Sequence, residues 1–219
     1  MGLWARIEAA LLDDAPKPTR VLLGPNRGSR LILNRTTQTK LWFGVYEREV
    51  QQALAGQTGM VWDIGANVGF FTLLLAKHAS LVLAVEPYPE NLECLHRAVQ
   101  MNDAAGSVSV IDAAVSARDG TGWLAPGVNS SESRLADHGL PVRTVTLDTL
   151  LDTYGIPALV KIDIEGGEME ALRGGCRLLS HHPKLIIETH SPELDDRVRG
   201  LLGECGYRFA RAANSLIAT

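Results

Sequence analysis

The chain has 219 residues, of which 46% are hydrophobic, so it is long enough to form one large domain with its own core. Its formal net charge is −4, with 21 Lys and Arg against 25 Asp and Glu. This weak acidity argues against nucleic-acid binding as its main task, because such proteins need a concentrated basic surface. Its three cysteines are widely spaced and form no C-x-x-C pair, which is typical of a reducing compartment. We therefore expect a cytoplasmic protein.

The first 50 residues precede the main pattern. Leu3, Trp4, Ile7 and Leu11 recur near helical spacing and predict a short docking helix. Apolar runs at 21–23 and 31–33, on either side of a Pro/Gly-rich turn at 24–28, predict a β-hairpin. No segment approaches the roughly 20 apolar residues of a membrane span. We divide the chain into an N-terminal extension, residues 1–50, and a main domain, residues 51–219.

Strands and helices alternate through the main domain. Apolar runs predict strands at 60–64, 81–86, 108–111, 142–145, 158–164 and 185–188. Amphipathic segments predict helices over 68–79, 92–99, 169–179 (bent at Gly174-Gly175) and 194–205, and residues 207–209 and 216–217 predict a closing antiparallel pair. This pattern is typical of a doubly wound α/β fold with a mostly parallel, seven-stranded, Rossmann-like sheet. Ligands of such sheets bind at the carboxyl ends of the strands.

The turn after the first of these strands has the sequence DIGANVG. Gly65 and Gly69 allow a tight turn and close approach of a ligand to the backbone. Asn67 stands where a dinucleotide loop has glycine, and the carboxylate of Asp63 would repel a pyrophosphate. The same carboxylate suits an ammonium group. The turn therefore favours S-adenosylmethionine (SAM), which carries both an α-ammonium and an α-carboxylate, over NAD.

Acidic residues also follow the next two strands. Glu86 ends the second strand, where an acid can accept hydrogen bonds from a ribose diol. Asp112 follows the third strand and could accept from an adenine amino group, although a plain turn or capping role is the alternative. The backbone N–H of Ala113 could bind the adenine ring. These three residues extend the predicted cofactor site.

Charged residues cluster at the ends of the last two parallel strands. Lys161, Asp163 and Glu165 would share one face of a strand, which is costly to bury unless they are paired or functional. Lys161 could simply pair with Asp163. Glu188 and His190 share a face at the next strand end, and histidine is the natural general base near neutral pH.

A metal site is a second interpretation of this cluster. Asp163, Glu165, Glu188 and His190 offer oxygen and imidazole ligands that would suit Mg²⁺ or Mn²⁺. We treat a divalent metal as possible but prefer a metal-free site.

Four segments together resemble the FkbM family of SAM-dependent methyltransferases: DIGANVGFFT at 63–72, AVEP at 84–87, LVKIDIEGGEMEALRG at 159–174 and IIETH at 186–190. Their order and spacing match from about residue 42 to 192. The resemblance implies a class I methyltransferase fold and O-methylation of hydroxyls on sugars or natural products.

The resemblance also implies roles for individual residues. It places Asp63, Gly65, Asn67 and Gly69 at the methionine end of SAM, Glu86 at the ribose, Asp163 and Glu165 at the transfer region, and Tyr46 and Glu47 in an acidic stretch beside the cofactor. The family pattern does not fix the hairpin or the loop at 123–139, so we expect both to shape the acceptor pocket. The extension would then cap the acceptor side.

The predicted reaction is in-line methyl transfer from SAM to the hydroxyl of a small molecule or glycan, leaving S-adenosylhomocysteine. His190 is the first candidate base, followed by Glu165 and Asp163. One alternative is an N-methyltransferase acting on a small molecule. Nucleobase amines are disfavoured, because the Pro-Pro-aromatic stretch typical of enzymes that methylate them is missing. A non-catalytic SAM-binding subunit is another alternative, although the acids at 163 and 165 argue against it.

Overall fold

The protein is built from short strands and helices that follow one another along most of the chain. The computed structural model describes residues 15–125, 134–212 and 214–219. The strands are β1 (Lys17–Arg20), β2 (Arg30–Leu33), β3 (Met60–Ile64), β4 (Leu81–Glu86), β5 (Val108–Asp112), β6 (Ala114–Val115), β7 (Gly120–Ala125), β8 (Arg134–Ala136), β9 (Leu140–Val145), β10 (Leu159–Ile162), β11 (Lys184–Glu188), β12 (Phe209–Ala212) and β13 (Ser215–Ala218). The helices are α1 (Thr39–Phe43), α2 (Arg48–Leu54), α3 (Phe70–Leu75), α4 (Pro89–Met101), α5 (Leu147–Tyr154), α6 (Glu168–Arg173), α7 (Cys176–Ser180) and α8 (Pro192–Glu204).

The largest sheet has seven strands in the order β12-β13-β11-β10-β3-β4-β5. Its central strands are parallel, whereas β13 runs antiparallel to β11 and to β12. The predicted doubly wound, mostly parallel seven-stranded sheet is therefore confirmed, as is the closing antiparallel pair. The direction of strand addition reverses between β3 and β10, so the crevice for a ligand lies at the carboxyl ends of these two strands.

Helices cover both faces of this sheet, which explains why its strands are almost wholly apolar. Successive side chains of β3 alternate between two cores. Val61 packs in one core with Phe71 and other residues of α3 and α4. Trp62 packs in the other core with Leu172 and other residues of α6 and α8. The polar residues of the central strands are thereby concentrated near the strand ends.

The predicted hairpin is present, but its first strand lies earlier in the chain than expected. β1 covers Lys17–Arg20 instead of 21–23, and pairs antiparallel with β2. The turn between them is held by Asn26, which is fully buried and donates from its side-chain nitrogen to the Phe70 carbonyl at 2.6 Å. The hairpin therefore docks at the start of α3, directly after the glycine turn. The predicted N-terminal helix lies outside the described residues.

A second, four-stranded sheet in the order β6-β9-β7-β8 was largely missed by the sequence analysis, which predicted only part of β9. Its apolar residues Ala114, Leu124 and Val142 form a small core, against which Tyr88 and Leu135 pack. Of the predicted acceptor loop at 123–139, residues 126–133 lie outside the described part of the chain.

Two differences from the predicted boundaries matter for the site. β10 ends at Ile162, so the strand predicted to continue to 164 stops two residues earlier and residues 163–167 form a turn. The helix predicted over 169–179 is divided into α6 and α7 at Gly174-Gly175, where the bend was expected. No helix in the described segments is long and apolar enough to cross a membrane.

Candidate functional site

The turn after β3 lies directly against the end of β10. Gly65 has a φ of +81°, and a Cβ at this position would lie 1.8 Å from the carbonyl oxygen of Asp163. The Gly65 N–H donates to the carbonyl of Val85 on β4 at 2.9 Å. Asn67 and Gly69 also have positive φ values, +51° and +89°. Only glycine satisfies both the backbone and the space at position 65, so this turn exposes main chain to the crevice.

Glu86 ends β4 with its carboxylate held by backbone donors from two turns. Oε2 accepts from the Asn67 N–H at 2.8 Å, and Oε1 accepts from the Tyr88 N–H at 2.9 Å. The Asn91 side chain donates to Oε1 at 3.4 Å. Burial raises the pKa of Glu86, and these hydrogen bonds act in the opposite direction. The carboxylate is thus fixed in orientation before any ligand arrives.

Asp63 and Lys161 form a buried pair beneath the site. Lys161 Nζ lies 3.6 Å from Asp63 Oδ1, 3.3 Å from Asp163 Oδ2 and 4.9 Å from the centre of the Phe71 ring. Thr72 donates its hydroxyl to Asp63 Oδ2 at 2.6 Å. Burial raises the pKa of Asp63, against the attraction of Lys161. For Lys161, burial favours the neutral amine, but the two carboxylates outweigh it and raise the pKa, so the ammonium stays charged.

His190 follows β11 and is surrounded by carboxylates from a different part of the chain. Its Nδ1 lies 3.2 Å from Glu168 Oε1, while its Nε2 lies 3.3 Å from Glu165 Oε2 and 3.6 Å from Asp163 Oδ1. The side chain is 26% exposed. The hydrogen bond with Glu168 is the main cause that raises the pKa of His190 to about 9, although burial opposes it. The imidazole is therefore mostly protonated at neutral pH.

The N-terminal extension contributes Tyr46 and Glu47 to the same cluster. Glu47 has a φ of +41° and comes directly before α2. Burial raises the pKa of Glu188 to about 8, and the charges of Asp163 and Glu47 add to the effect. Burial also raises the pKa of Glu47, and it raises that of Tyr46 with the carboxylate of Glu47 adding to it. The residues Tyr46 and Glu47 of the extension are thus packed against the acids of the site.

Two cavities of about 420 Å³ each meet at this point and share Tyr46, Gly65, Asn67 and Asp163 in their walls. The first cavity runs along the strand ends towards the second sheet. The second cavity lies between α3 and residues 37–41 of the extension. Of the predicted site residues, those that line the first cavity are Gly65, Asn67, Glu86, Ala113, Asp163, Glu165 and His190.

Three predicted site residues line neither cavity. Asp63 is fully buried beneath the turn, where it contacts Lys161 and Thr72. Gly69 forms the end of the turn, and a Cβ there would lie 2.7 Å from the side chain of Leu95. Asp112 is exposed at the end of β5.

The structure also reveals a site residue that the sequence analysis did not single out. Glu168 lies within the quoted 159–174 segment but received no role there. It begins α6, and its side chain is fully buried against His190. A charged residue at the first position of a helix was the available signal, although solvent exposure is the usual outcome for such a residue.

Asp163, Glu165 and His190 can each offer one ligand atom, and these atoms all lie within 4.8 Å of one another. Three of the four residues of the metal interpretation are therefore close enough to share one divalent cation, whereas Glu188 is not in this group.

Comparisons with known proteins place this site in a family context. Residues 63–209 match the family described as the methyltransferase FkbM domain. The hexuronic acid methyltransferase AglP of Haloferax volcanii is 27% identical, over 68% of this chain and 64% of the relative. The methyltransferase sdnD of Sordaria araneosa is 26% identical, over 68% of this chain and 73% of the relative.

Solved structures share the fold. The crystal structure of methyltransferase FkbM from Methylobacillus flagellatus KT aligns with a TM-score of 0.56 and 22% identity, over 75% of this chain and 44% of that chain. The ribosomal protein L11 methylase of Lactobacillus delbrueckii subsp. bulgaricus aligns with a TM-score of 0.54 and 15% identity, over 91% of this chain and 87% of that chain. The chain thus spans less than two thirds of the length of both AglP and the Methylobacillus protein.

Proposed function

Because the chain belongs to the FkbM methyltransferase family, we propose that it is an enzyme that transfers a methyl group from SAM to a hydroxyl of a sugar or another small natural product. One observation carries the proposal. A single cavity brings Glu86 and the turn at 65–67 together with Asp163, Glu165 and His190. Groups suited to hold a nucleoside and groups suited to accept a proton therefore face the same space.

The residues present fit SAM on the chemistry of the donor set. SAM carries a sulfonium and an ammonium, and the first cavity is lined by four carboxylic acids, Glu86, Asp163, Glu165 and Glu188. Gly65 leaves only backbone at the point of closest approach between β3 and β10. A cavity of about 420 Å³ also lies within the usual range for a small-molecule site.

Each part of the cofactor has residues that would hold it. Glu86 would accept from the ribose hydroxyls, and Ala113 would line the adenine site with Leu124. The backbone of the turn at 65–67, together with Asp163, would hold the amino-acid end. Asp63 would act one layer below by fixing Lys161, and through it Asp163. We assign Gly69 to the turn itself and Asp112 to the rim beyond Ala113.

When bound, SAM supplies an electrophilic methyl group, so the work of the chain is to align the acceptor and to take its proton. His190 is our first candidate for the base. In the neutral imidazole, the contact with the fully buried Glu168 at 3.2 Å would keep the proton on Nδ1, so Nε2 is the nitrogen that would accept. Since the pKa of His190 is raised to about 9, the neutral form is a minority at pH 7. Glu165 and Asp163, within 3.6 Å of Nε2, are the second candidates.

The acceptor class is proposed from the family and from the walls of the site. AglP carries the name of a hexuronic acid methyltransferase, which supports a sugar acceptor. The extension contributes Tyr46 and residues 37–41 to the second cavity, so we propose that it caps the acceptor side. N-methylation of a small amine at the same site remains the alternative, and the site of the new methyl group decides between them.

Cofactor binding is tested by calorimetry with SAM, S-adenosylhomocysteine and NAD. We expect the first two to bind and NAD to show no saturable binding. Glu86→Gln should weaken SAM binding at least about tenfold, because a hydrogen bond to a charged group contributes about 1.5–3 kcal/mol. Glu90→Gln, an exposed carboxylate in the first turn of α4, is the matched control and should leave the affinity unchanged. Comparable binding of NAD would contradict the proposed cofactor.

Transfer is tested with isotopically labelled SAM and a panel of hexuronic acids, neutral sugars and small amines. NMR of the product would show whether the label sits on oxygen or nitrogen. SAM binding without transfer to any member of a broad panel would favour the non-catalytic alternative. The same assay with a chelator, followed by added Mg²⁺, tests whether a metal is required.

A further inference from the structure

Glu168 has contacts that a surface-facing helix residue would not make. It is the first residue of α6, and its side chain is fully buried, whereas Glu170 two residues later is exposed. A carboxylate buried in this way costs free energy unless hydrogen bonds or charges compensate it. The burial of Glu168 therefore indicates that its carboxylate makes specific contacts inside the protein.

One oxygen of Glu168 receives donors from two separate segments. Oε1 accepts from the backbone N–H of Ile164 at 3.3 Å and of Gly166 at 3.2 Å, and lies 3.2 Å from Nδ1 of His190. Oε2 is buried and has no hydrogen-bond partner among the described residues. The first two contacts shape the turn at 163–167. The third links that turn to the segment that follows β11.

The contact with His190 determines which ring nitrogen faces the cavity. The two nitrogens of a neutral imidazole are inequivalent, and a carboxylate beside Nδ1 keeps the proton on that atom. Nε2 lies beside Glu165 and Asp163, which line the first cavity and are partly exposed, whereas Glu168 is fully buried and forms the hydrogen bond with the ring. Nε2 is therefore the nitrogen that gives up its proton when the imidazolium becomes neutral. The charged groups that face His190 are Glu168 from α6, Asp163 and Glu165 from the turn, and Glu188 from its own strand.

We propose that Glu168 is a positioning residue that acts through His190, holding Nδ1–H so that Nε2 is the nitrogen offered to the acceptor hydroxyl. This inference rests on the proposed function. In the transfer step the acceptor O–H bond breaks, its proton goes to Nε2, and the oxygen electron pair forms the new bond to the methyl carbon. The bond between that carbon and the sulfonium sulfur breaks, and its electrons remain on sulfur.

A double-mutant cycle tests the coupling. The variants are Glu168→Gln, His190→Ala and the double variant, with Glu170→Gln on the exposed side of the same helix as control. Gln keeps an acceptor oxygen for the two backbone N–H groups but removes the negative charge. We expect Glu168→Gln to lower kcat about 10–100-fold in the wild-type background, the range typical for a partner that orients a functional histidine. With His190 absent the loss should fall below about twofold, because coupled residues are not additive.

Two further readouts separate this role from a structural one. SAM affinity should change by less than about twofold in Glu168→Gln, and Glu170→Gln should match the wild type in kcat. Nitrogen chemical shifts of labelled histidine, assigned by their loss in His190→Ala, should report the Nδ1–H tautomer above the pKa in the wild type and a mixture in Glu168→Gln. This measurement needs no turnover, so it tests Glu168 even if the proposed function fails.

Equal losses of kcat in both backgrounds would show that Glu168 acts on the turn alone, and would overturn the proposal. Wild-type kcat in Glu168→Gln, or an unchanged tautomer, would overturn it as well.

Discussion

Lys161→Met should lower the free energy of unfolding by about 3–5 kcal/mol, because it breaks a buried ion pair by removing one partner. Methionine occupies a similar volume but leaves Asp63 and Asp163 without the ammonium that lies 3.6 and 3.3 Å from them. At an effective dielectric constant of about 20, each attraction is about 5 kcal/mol. The cost of desolvating the charges offsets part of this attraction, which leaves the smaller net loss.

The expected loss is large enough to measure by thermal unfolding. A domain of about 150–250 residues loses about 2–4 °C of Tm per kcal/mol, so Lys161→Met should melt about 6–20 °C below the wild type. Lys184→Met, on the partly exposed first residue of β11, is the matched control and should change Tm by less than about 2 °C. The double variant Lys161→Met/Asp63→Asn should regain part of the stability, because it removes the unpaired buried charge.

The pH dependence gives a second check with a definite sign. Burial already raises the pKa of Asp63, and removal of Lys161 raises it further. A carboxyl with a raised folded pKa contributes stability only while it is protonated, and this contribution is lost as pH rises through that pKa. The deficit of Lys161→Met should therefore be smaller in acid than at neutral pH. A variant that melts with the wild type at every pH would refute the coupling of Lys161 to the two carboxylates.

Three further predictions concern the cavity. Turnover should rise with pH to an inflection near the raised pKa of His190, about 9, and His190→Ala should lose this inflection. From about pH 6.5 to 9 the wild type should also lose unfolding free energy relative to His190→Ala. The reason is that a histidine with a raised pKa stabilises the fold only while it is protonated. Gly65→Ala should abolish SAM binding or destabilise the fold in calorimetry, because its Cβ would lie too close to the Asp163 carbonyl oxygen. In the control, Gly28→Ala, φ is +90° but the space is open, so any loss of stability should come from backbone strain alone. Chelator should leave turnover unchanged if the acidic cluster works without a metal, and a loss reversed by Mg²⁺ would contradict that view.

Much of the site was predictable because its residues follow apolar strands. The carboxyl ends of parallel strands meet at one edge of a sheet, so the sequence alone predicts that Gly65, Glu86, Asp163 and His190 lie close together. The tight turn after β3 was also predictable from its glycines, since the positive φ and the close approach to β10 both require glycine at position 65.

The remaining features depend on contacts between distant segments. Sequence periodicity cannot show that Glu168 is buried against His190, 22 positions further along the chain, because that contact exists only once α6 and β11 have packed. Asp112 is the opposite case. Its position at the carboxyl end of a strand predicts a place in the site, yet in the structure its side chain is exposed at the end of β5. Most of the second sheet escaped prediction because β6 and β8 have only two and three residues, and the longer β7 and β9 are only partly apolar.

The distribution of charge also argues for function over stability. Four carboxylic acids and one imidazole line the first cavity, and another buried acid, Glu168, lies behind the imidazole. Burial raises the pKa of Glu188 to about 8, and the charges of Asp163 and Glu47 add to the effect. Bringing these acids together therefore opposes folding. Packing alone would favour apolar residues at these strand ends, as it does along the rest of the same strands. Such clusters of acids with raised pKa values are characteristic of functional sites, and a cationic ligand would offset the repulsion between their carboxylates.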